Sequence, residues 1–278
     1  MSRHAAVRYP ELLRTDGHKL LIAIENLLVT TSQGHDRGHQ TLQGNLWAIA
    51  DLHLSLARPD RRERFAERWR DHAAKIEREW RTVVRPEDLV LLPGDFSMAR
   101  NHRDVQPDLA WIDRLPGTKV LSAGNHDSWW NGVDKIRPIL RRSLLAVGGD
   151  AVATHGVVVC GTLGVPVPAG EPSPEQVAAS DRELAALDGA LEQAARLRTA
   201  REPLYVLWHY PPFDQHRRPG PCVARFEEAG VTACLYGHLH TQGQWSLAVQ
   251  GDIRGVRYFC VAADAIGFRP LRIGSRSR

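Results

Sequence analysis

The stretch VTACLYGHLH, residues 231–240, joins an apolar run to two histidines that stand one residue apart. The run has the composition of a buried β-strand, and Gly237 marks the point where the strand should give way to a loop. Side chains two positions apart on an extended chain point to the same side, about 6.5 Å apart along the strand. His238 and His240 could therefore hold one metal ion or reach two neighbouring ions. A histidine-rich loop is the simpler alternative, because the chain contains 13 histidines.

Similar apolar runs recur from Leu46 onward and alternate with polar loops and helical patterns. The predicted strands are LWAIA (46–50), DLVLL (88–92), KVLSA (119–123), LLAV (144–147), VVVCG (157–161), LYVLW (204–208), TACLY (232–236) and VRYFCVA (256–262). A helix is predicted over residues 61–80, where apolar side chains recur at spacings of three and four. A second helix is predicted over residues 174–197, after the helix-start signal Ser173-Pro174. Strands that alternate with helices predict an α/β layered fold.

The bulk composition is that of a large globular domain. The chain has 278 residues, of which 43% are hydrophobic, so it can bury a sizeable core. Residues 45–268 are predicted to form this domain. Residues 1–44 contain a polar, glycine-containing stretch without periodicity and are predicted to be a poorly ordered N-terminal extension. Residues 269–278 are predicted to be a basic C-terminal tail.

Cysteine usage and hydropathy favour a cytoplasmic protein without membrane association. The four cysteines are scattered without a CxxC pair, which is typical of structural thiols in a reducing compartment. The apolar stretch LLIAIENLLV (20–29) is interrupted by two polar residues and is far shorter than a membrane span. The net charge of +4 suits anionic substrates but is too small to indicate nucleic-acid binding.

Polar residues follow five of the predicted strands at the same structural position. They are Asp51 and His53, then Asp95, then Asn125, His126 and Asp127, then His209, and finally His238 and His240. In α/β folds, sites form in loops beyond the carboxyl ends of strands. Oxygen and nitrogen donors without thiolate suit Mn²⁺, Fe or Zn²⁺. Seven ligands drawn from this set are too many for one tetrahedral ion and suit two ions that share a bridging carboxylate. Such a pair of ions is a known clamp for phosphoester displacement. The residues alone therefore predict a dinuclear hydrolase.

The ordered series DLH (51–53), GD (94–95), GNHD (124–127), His209 and GHLH (237–240) resembles the calcineurin-like metallophosphoesterase superfamily. The superfamily pattern is DxH, GD, GNH[DE], H and GHxH, and the resemblance spans residues 46 to about 268. It implies a four-layer β-sandwich of two mixed sheets flanked by helices, with two divalent metal ions (Mn²⁺, Fe²⁺/Fe³⁺ or Zn²⁺) at the strand ends.

The resemblance also implies a role for each site residue. Asp51, His53 and His240 would bind the first ion. Asn125, His209 and His238 would bind the second ion, and Asp95 would bridge the two. His126 would contact the scissile phosphate and act as a general acid on the leaving oxygen.

The implied activity is metal-dependent phosphohydrolysis of a small phosphorylated substrate, at a phosphomonoester or phosphodiester bond, by hydroxide activated between the two ions. Two alternatives stay open. One is a nuclease or cyclic-nucleotide phosphodiesterase of the same superfamily, which would need a basic groove with stacking aromatics such as Trp129 and Trp130. The other is a non-catalytic scaffold that keeps the fold. The oligomeric state is left open.

Two positions depart from the pattern of related chains. Met98 stands where many members have an Asp or Asn that orients the catalytic histidine, so the partner of His126 must come from elsewhere, with Asp127 as one candidate. Leu163 stands where the related chains that are most similar in pattern tend to have arginine.

Overall fold

The computed structural model describes residues 44–59, 67–199 and 202–274, which fold around two β-sheets. The strands are β1 (Leu46–Ala48), β2 (Leu89–Pro93), β3 (Thr118–Ser122), β4 (Leu144–Ala146), β5 (Asp150–Thr154), β6 (Val157–Thr162), β7 (Leu204–Trp208), β8 (Ala233–Tyr236), β9 (Gly251–Ile253), β10 (Val256–Cys260) and β11 (Leu271–Gly274). The first sheet has the order β11-β1-β2-β3-β4, and the second has the order β5-β6-β7-β8-β10-β9. Both sheets are mixed, because parallel central strands are flanked by antiparallel ones at β11, β5 and β9.

Helices connect the parallel strands. They are α1 (His72–Val83), α2 (Gln106–Asp113), α3 (Val133–Ile136), α4 (Pro174–Leu197), α5 (Pro221–Glu228) and α6 (Gln242–Leu247). The predicted bounds of α4 are confirmed, and its start is fixed by a capping box in which Ser173 and Gln176 each bond the other's backbone N–H. Within the described ranges, no helix combines the length and apolar composition needed to cross a bilayer.

Successive residues along a strand face opposite sides of the sheet and so belong to different cores. In the first sheet, Ala48 and Leu91 point into a core shared with Leu207 of the second sheet. Their neighbours Ile49 and Val90 belong instead to a second core with Trp80 of α1. Helix α4 packs on the outer side of the second sheet, against β5 and β6. The predicted sandwich of two mixed sheets flanked by helices is therefore confirmed.

The prediction of one continuous helix over residues 61–80 is wrong. A short 3₁₀ helix covers Glu67–Trp69, and α1 begins only at His72, while residues 60–66 lie outside the described part of the chain. Asp71 separates the two helices with a left-handed backbone, φ 54°, which an α-helix does not contain. Trp69 nevertheless packs in the same core as Ile76 and Trp80.

The predicted basic tail, residues 269–278, is wrong for residues 271–274. These form β11, which pairs antiparallel with β1 and buries Ile273 between the sheets. The alternation of Leu271 and Ile273 with polar neighbours is too short to stand out beside the basic residues of the tail. The predicted extension, residues 1–44, lies outside the described residues except for Gly44.

Lys119, on β3, gives the fold an expected pH dependence. Its ammonium is buried and donates to the carbonyl of Leu115 and to Oγ of Ser143. Burial lowers the pKa of Lys119 to about 8, against the opposing pull of the Asp113 carboxylate. Between that value and the ordinary lysine pKa of 10.5 the unfolded chain holds more protons, so stability from this group rises with pH.

We therefore expect the free energy of unfolding of the wild type to rise relative to that of Lys119→Met between about pH 7 and about pH 10. Denaturant titrations of both proteins at each pH measure the difference, and other titrating groups cancel because both proteins share them. A difference that stays constant over this range would contradict a lowered lysine pKa.

Candidate metal centre

All seven predicted metal ligands lie beyond the carboxyl ends of parallel strands. Three adjacent strands of the first sheet, β1, β2 and β3, supply Asp51, His53, Asp95 and Asn125, and β7 and β8 of the second sheet supply His209, His238 and His240. An isolated bridge between Ala50 and Ala262 joins the two sheets at this edge. The structure therefore brings residues that are far apart in sequence to one rim of the sandwich.

The first cluster consists of Asp51, His53, Asp95 and His240. One ligand atom from each of these four residues lies within 4.8 Å of the others. Nε2 of His240 lies 3.4 Å from Oδ1 of Asp51 and 3.4 Å from Nε2 of His53. Two carboxylates and two imidazoles at this spacing form a candidate site for a divalent ion.

The second cluster consists of Asn125, His209 and His238, beside Asp95. Oδ1 of Asn125 lies 2.9 Å from Nε2 of His209 and 2.9 Å from Nδ1 of His238. Nδ1 of His209 lies 3.0 Å from the carbonyl oxygen of Pro93, which orients the ring. An amide oxygen and two imidazoles thus converge on a point next to the first cluster.

Asp95 is shared by the two clusters. Its Oδ2 lies 3.8 Å from Nε2 of His53 and 3.4 Å from Nε2 of His209, and it is buried without a hydrogen bond. Its Oδ1 accepts a hydrogen bond from the backbone N–H of His126 at 2.8 Å. A buried carboxylate oxygen without a donor is costly. A cation on each side would compensate it, so the residues present fit a pair of metal ions.

The imidazoles differ in their electrostatic surroundings. Burial lowers the pKa of His53 to about 3, and burial together with the neighbouring His209 lowers the pKa of His238 to about 4. Burial opposes protonation of His209 and His240 as well, but Asp95 raises the pKa of His209 to about 9. In the same way Asp264 and Asp51 raise the pKa of His240 to about 10. Metal binding at either cluster would therefore compete with protonation of these two rings.

Four of the candidate ligands have a left-handed backbone conformation. The φ angles are 58° at Asp51, 42° at His53, 52° at Asp95 and 70° at His238. This left-handed conformation costs about 1–3 kcal/mol for a residue with a side chain, and such strain gathers at functional sites. Here it turns successive side chains of each loop toward the shared rim.

Gly237 is required by close approach rather than by its own φ angle. A Cβ at this position would overlap Oδ2 of Asp51 and the Cβ of Ala50. We expect Gly237→Ala to push Asp51 out of the first cluster and to weaken metal binding there by at least about tenfold, as loss of a ligand contact would. Metal titration followed by a competing chelator measures this. Gly170→Ala is the matched control, because nothing lies within 4 Å of its Cβ position, and equal affinity of the two variants would contradict the expectation.

His126 is exposed at the mouth of the first cluster. Its ring centroid lies 5.3 Å from that of His53, and its backbone is tied to Asp95. Asp127 does not orient its ring. Both oxygens of Asp127 are taken by the backbone N–H groups of Phe96, Ser97 and Gly124 and by the indole of Trp129. Burial, reinforced by Asp95, raises the pKa of Asp127 to about 7, and its role is to hold the loops after β2 and β3 together.

Two residues that contact the candidate ligands do not belong to the sequence motif. Oδ1 of Asp264 lies 3.2 Å from Nδ1 of His240, and the ring of Trp69 lies 5.5 Å from that of His53 and 5.7 Å from that of His240. Asp264 follows β10 at the same strand end as the predicted ligands. That position was the signal that could have revealed it.

The two tryptophans named for a stacking groove differ in exposure. Trp129 is buried against Phe96, and Trp130 packs beside it. Trp129 therefore belongs to the core rather than to an open stacking surface. Among nearby basic side chains, the guanidinium of Arg218 pairs with Asp214 at 2.6 Å.

Comparison with known proteins identifies a family and supports the fold. Residues 44–242 match the calcineurin-like phosphoesterase family. The Gene 66 protein of Mycobacterium phage L5 is 34% identical over 83 residues, which are 30% of this chain and 40% of the phage protein. The match thus spans about two fifths of that relative.

Two solved structures cover most of the chain at low identity. The phosphopantetheinyl hydrolase of Mycobacterium tuberculosis has a TM-score of 0.51 and 14% identity, over 84% of this chain and 96% of the other. A protein of unknown function from Aquifex aeolicus has a TM-score of 0.42 and 14% identity, over 82% of this chain and 95% of the other. The first of these supports the same fold, while the family match extends from β1 through the loop that carries His238 and His240. The chain belongs to the calcineurin-like phosphoesterase family.

Proposed function

We propose that this protein is a dinuclear, metal-dependent phosphohydrolase that cleaves phosphomonoester or phosphodiester bonds of a small phosphorylated substrate. The observation that carries the proposal is the buried Oδ2 of Asp95, which lies between Nε2 of His53 and Nε2 of His209. In this proposal Asp51, His53 and His240 hold one ion, and Asn125, His209 and His238 hold the other. Asp95 bridges them.

The chemistry follows from charge placement at the rim. When bound, two divalent ions lower the pKa of water and stabilise charge on the phosphoryl oxygens. The buried carboxylates of Asp51 and Asp95 supply negative charge that would balance the two cations. His126, exposed above the first cluster, can reach a substrate from solvent and donate a proton to the leaving oxygen. The His126 backbone N–H, bonded to Asp95, fixes the loop that carries it.

The donor set narrows the choice of metal. Carboxylate, amide and imidazole groups converge, and all four cysteines are buried and free elsewhere in the described structure. We therefore propose Mn²⁺, Fe²⁺/Fe³⁺ or Zn²⁺ as the occupants. The buried free thiols also support the proposal of a reducing, cytoplasmic location.

A nucleic-acid substrate is less well supported by the described residues. The burial of Trp129 and the pairing of Arg218 with Asp214 remove two groups that would serve a stacking, basic groove. A scaffold without activity is also less well supported, because every predicted ligand reaches the rim. The substrate test distinguishes the nuclease and the inactive scaffold from the proposed phosphohydrolase.

The test is hydrolysis by protein stripped of metal and reloaded with Mn²⁺, Zn²⁺ or Fe²⁺. Aryl phosphates and aryl phosphodiesters come first, followed by cyclic nucleotides, dinucleotides, single-stranded nucleic acid and phosphopantetheine compounds. Metal-dependent turnover of a small ester supports the proposal. Binding of two ions without turnover of any phosphoester would overturn it, and a preference for nucleic acid that falls steeply with salt would favour the nuclease.

A further inference from the structure

The imidazole of His240 is contacted at both ring nitrogens. Nε2 faces the first cluster, 3.4 Å from Oδ1 of Asp51, while Nδ1 lies 3.2 Å from Oδ1 of Asp264. A neutral imidazole carries one N–H, and an ionised carboxylate can only accept a hydrogen bond. The contact with Asp264 therefore favours the proton on Nδ1 and leaves the lone pair of Nε2 directed at the cluster.

The carboxylate of Asp264 is held rigidly for this contact. Its side chain is fully buried, and Oδ2 lies 2.9 Å from the guanidinium of Arg68. The backbone just before it is fastened to the first sheet, because Ala262 bridges Ala50 and the N–H of Ala263 donates to the carbonyl of Ala50 at 3.0 Å. Since Ala50 directly precedes Asp51, the position of Asp264 is fixed relative to a metal ligand.

Arg68 links the carboxylate of Asp264 to the backbone of His240. Its guanidinium also donates to the carbonyl oxygen of His240 and lies over the ring of Trp245, 4.9 Å from the ring centroid. The indole N–H of Trp245 in turn donates to the carbonyl of Leu239 at 2.7 Å. Arg68 therefore joins the buried carboxylate of Asp264 to the loop of residues 239–240.

We propose that Asp264 is a positioning residue for His240, which fixes the ring with Nε2 toward the first cluster and strengthens its binding of a divalent ion. An anionic partner makes a ligating imidazole a better donor, and its loss typically lowers metal affinity about 10- to 100-fold. In the second cluster, by contrast, Nδ1 of His209 lies 3.0 Å from the neutral carbonyl of Pro93 rather than beside a carboxylate. The inference rests on the proposed function, since it requires that the two clusters bind metal.

The test compares Asp264→Asn with the wild type and with Asp88→Asn. Asp88 is the control because its carboxylate is also buried but lies away from the rim. It accepts hydrogen bonds from the backbone N–H of Asn45 and the indole N–H of Trp47. Each protein is stripped of metal and titrated with Zn²⁺ against a chromophoric chelator to obtain a dissociation constant for each of two ions. The free energy of unfolding without metal is measured alongside.

We expect Asp264→Asn to weaken one ion about 10- to 100-fold and to leave the other within about threefold, while Asp88→Asn changes stability but neither dissociation constant. Unchanged affinity for both ions in Asp264→Asn would overturn the inference. So would equal weakening of both ions that parallels lost stability, since that is the signature of a structural role. A wild type that binds no Zn²⁺ would overturn the proposed function as well.

A measurement on the wild type covers the case in which Asp264→Asn does not fold. Long-range ¹H–¹⁵N spectra of the Zn²⁺-loaded protein report which ring nitrogen of His240 carries the proton. We expect the proton on Nδ1, protected from solvent exchange by Asp264. A proton on Nε2 would overturn the assignment.

Discussion

Asp95→Asn should lower metal content and turnover together, and it should be the costliest single substitution at the rim. Its carboxylate contacts imidazoles of both clusters. Replacing it removes a negative charge between two cations and places an amide donor where an acceptor is needed, so repulsion between the ions is less compensated. The loss of turnover should exceed the roughly 10- to 100-fold cost of removing an outer-shell partner.

Metal analysis and steady-state kinetics on the reloaded protein measure this prediction. Asp88→Asn serves again as the control, because Asp88 is buried and lies at the end of β2 opposite the rim. Full occupancy by two ions in Asp95→Asn, with turnover close to that of the wild type, would contradict the bridging role.

His126→Ala should keep both ions but lower turnover by roughly 10²- to 10⁴-fold, the usual contribution of a positioned proton donor. The ring is exposed beside the first cluster, 5.3 Å from the ring of His53, and its hydrogen bond to a candidate ligand comes from the backbone N–H rather than from the side chain. Removing the side chain therefore leaves the ligands in place. The loss should shrink for esters with acidic leaving groups, because these need little proton donation.

The measurement is a series of aryl phosphates of graded leaving-group acidity, assayed with the wild type, His126→Ala and His155→Ala. His155 is a suitable control because it lies in the turn between β5 and β6, at the end of the sheet opposite the rim. An equal loss for good and poor leaving groups, or a loss of metal from His126→Ala, would contradict the general-acid role.

The convergence of the candidate metal ligands could be predicted because strand ends impose a strong pattern. Each predicted ligand directly follows an apolar run, and parallel strands deliver such positions to one edge. Asp264 follows the same rule after β10 but belongs to no motif, so the sequence alone did not distinguish it from an ordinary loop aspartate. The departure at Met98 was visible in the sequence, yet its consequence was not. The structure shows the loop of His126 held through its backbone N–H on Asp95.

Local backbone geometry explains most of the other differences. The amphipathic pattern around Trp69 continues through Asp71 without a sequence break, although the left-handed φ of Asp71 ends the helix there. β11 is only four residues long, so its alternation of apolar and polar residues is too short to predict a strand. Pairing with β1 stabilises it in the folded protein. In both segments, contacts with other parts of the fold determine the secondary structure. The pattern within one segment does not reveal those contacts.

The bridge between Ala50 and Ala262 has a consequence for the order of folding events. It joins the sheets where His53 and His240, 187 positions apart in the chain, come within 3.4 Å of each other. Contacts of such long range close late, because a large loop entropy must be overcome before they form. The rim is therefore absent from any partly folded chain in which the two sheets have not met. A metal ion bound by both sheets would add stability only to the finished native state, and it would mainly slow unfolding rather than speed folding.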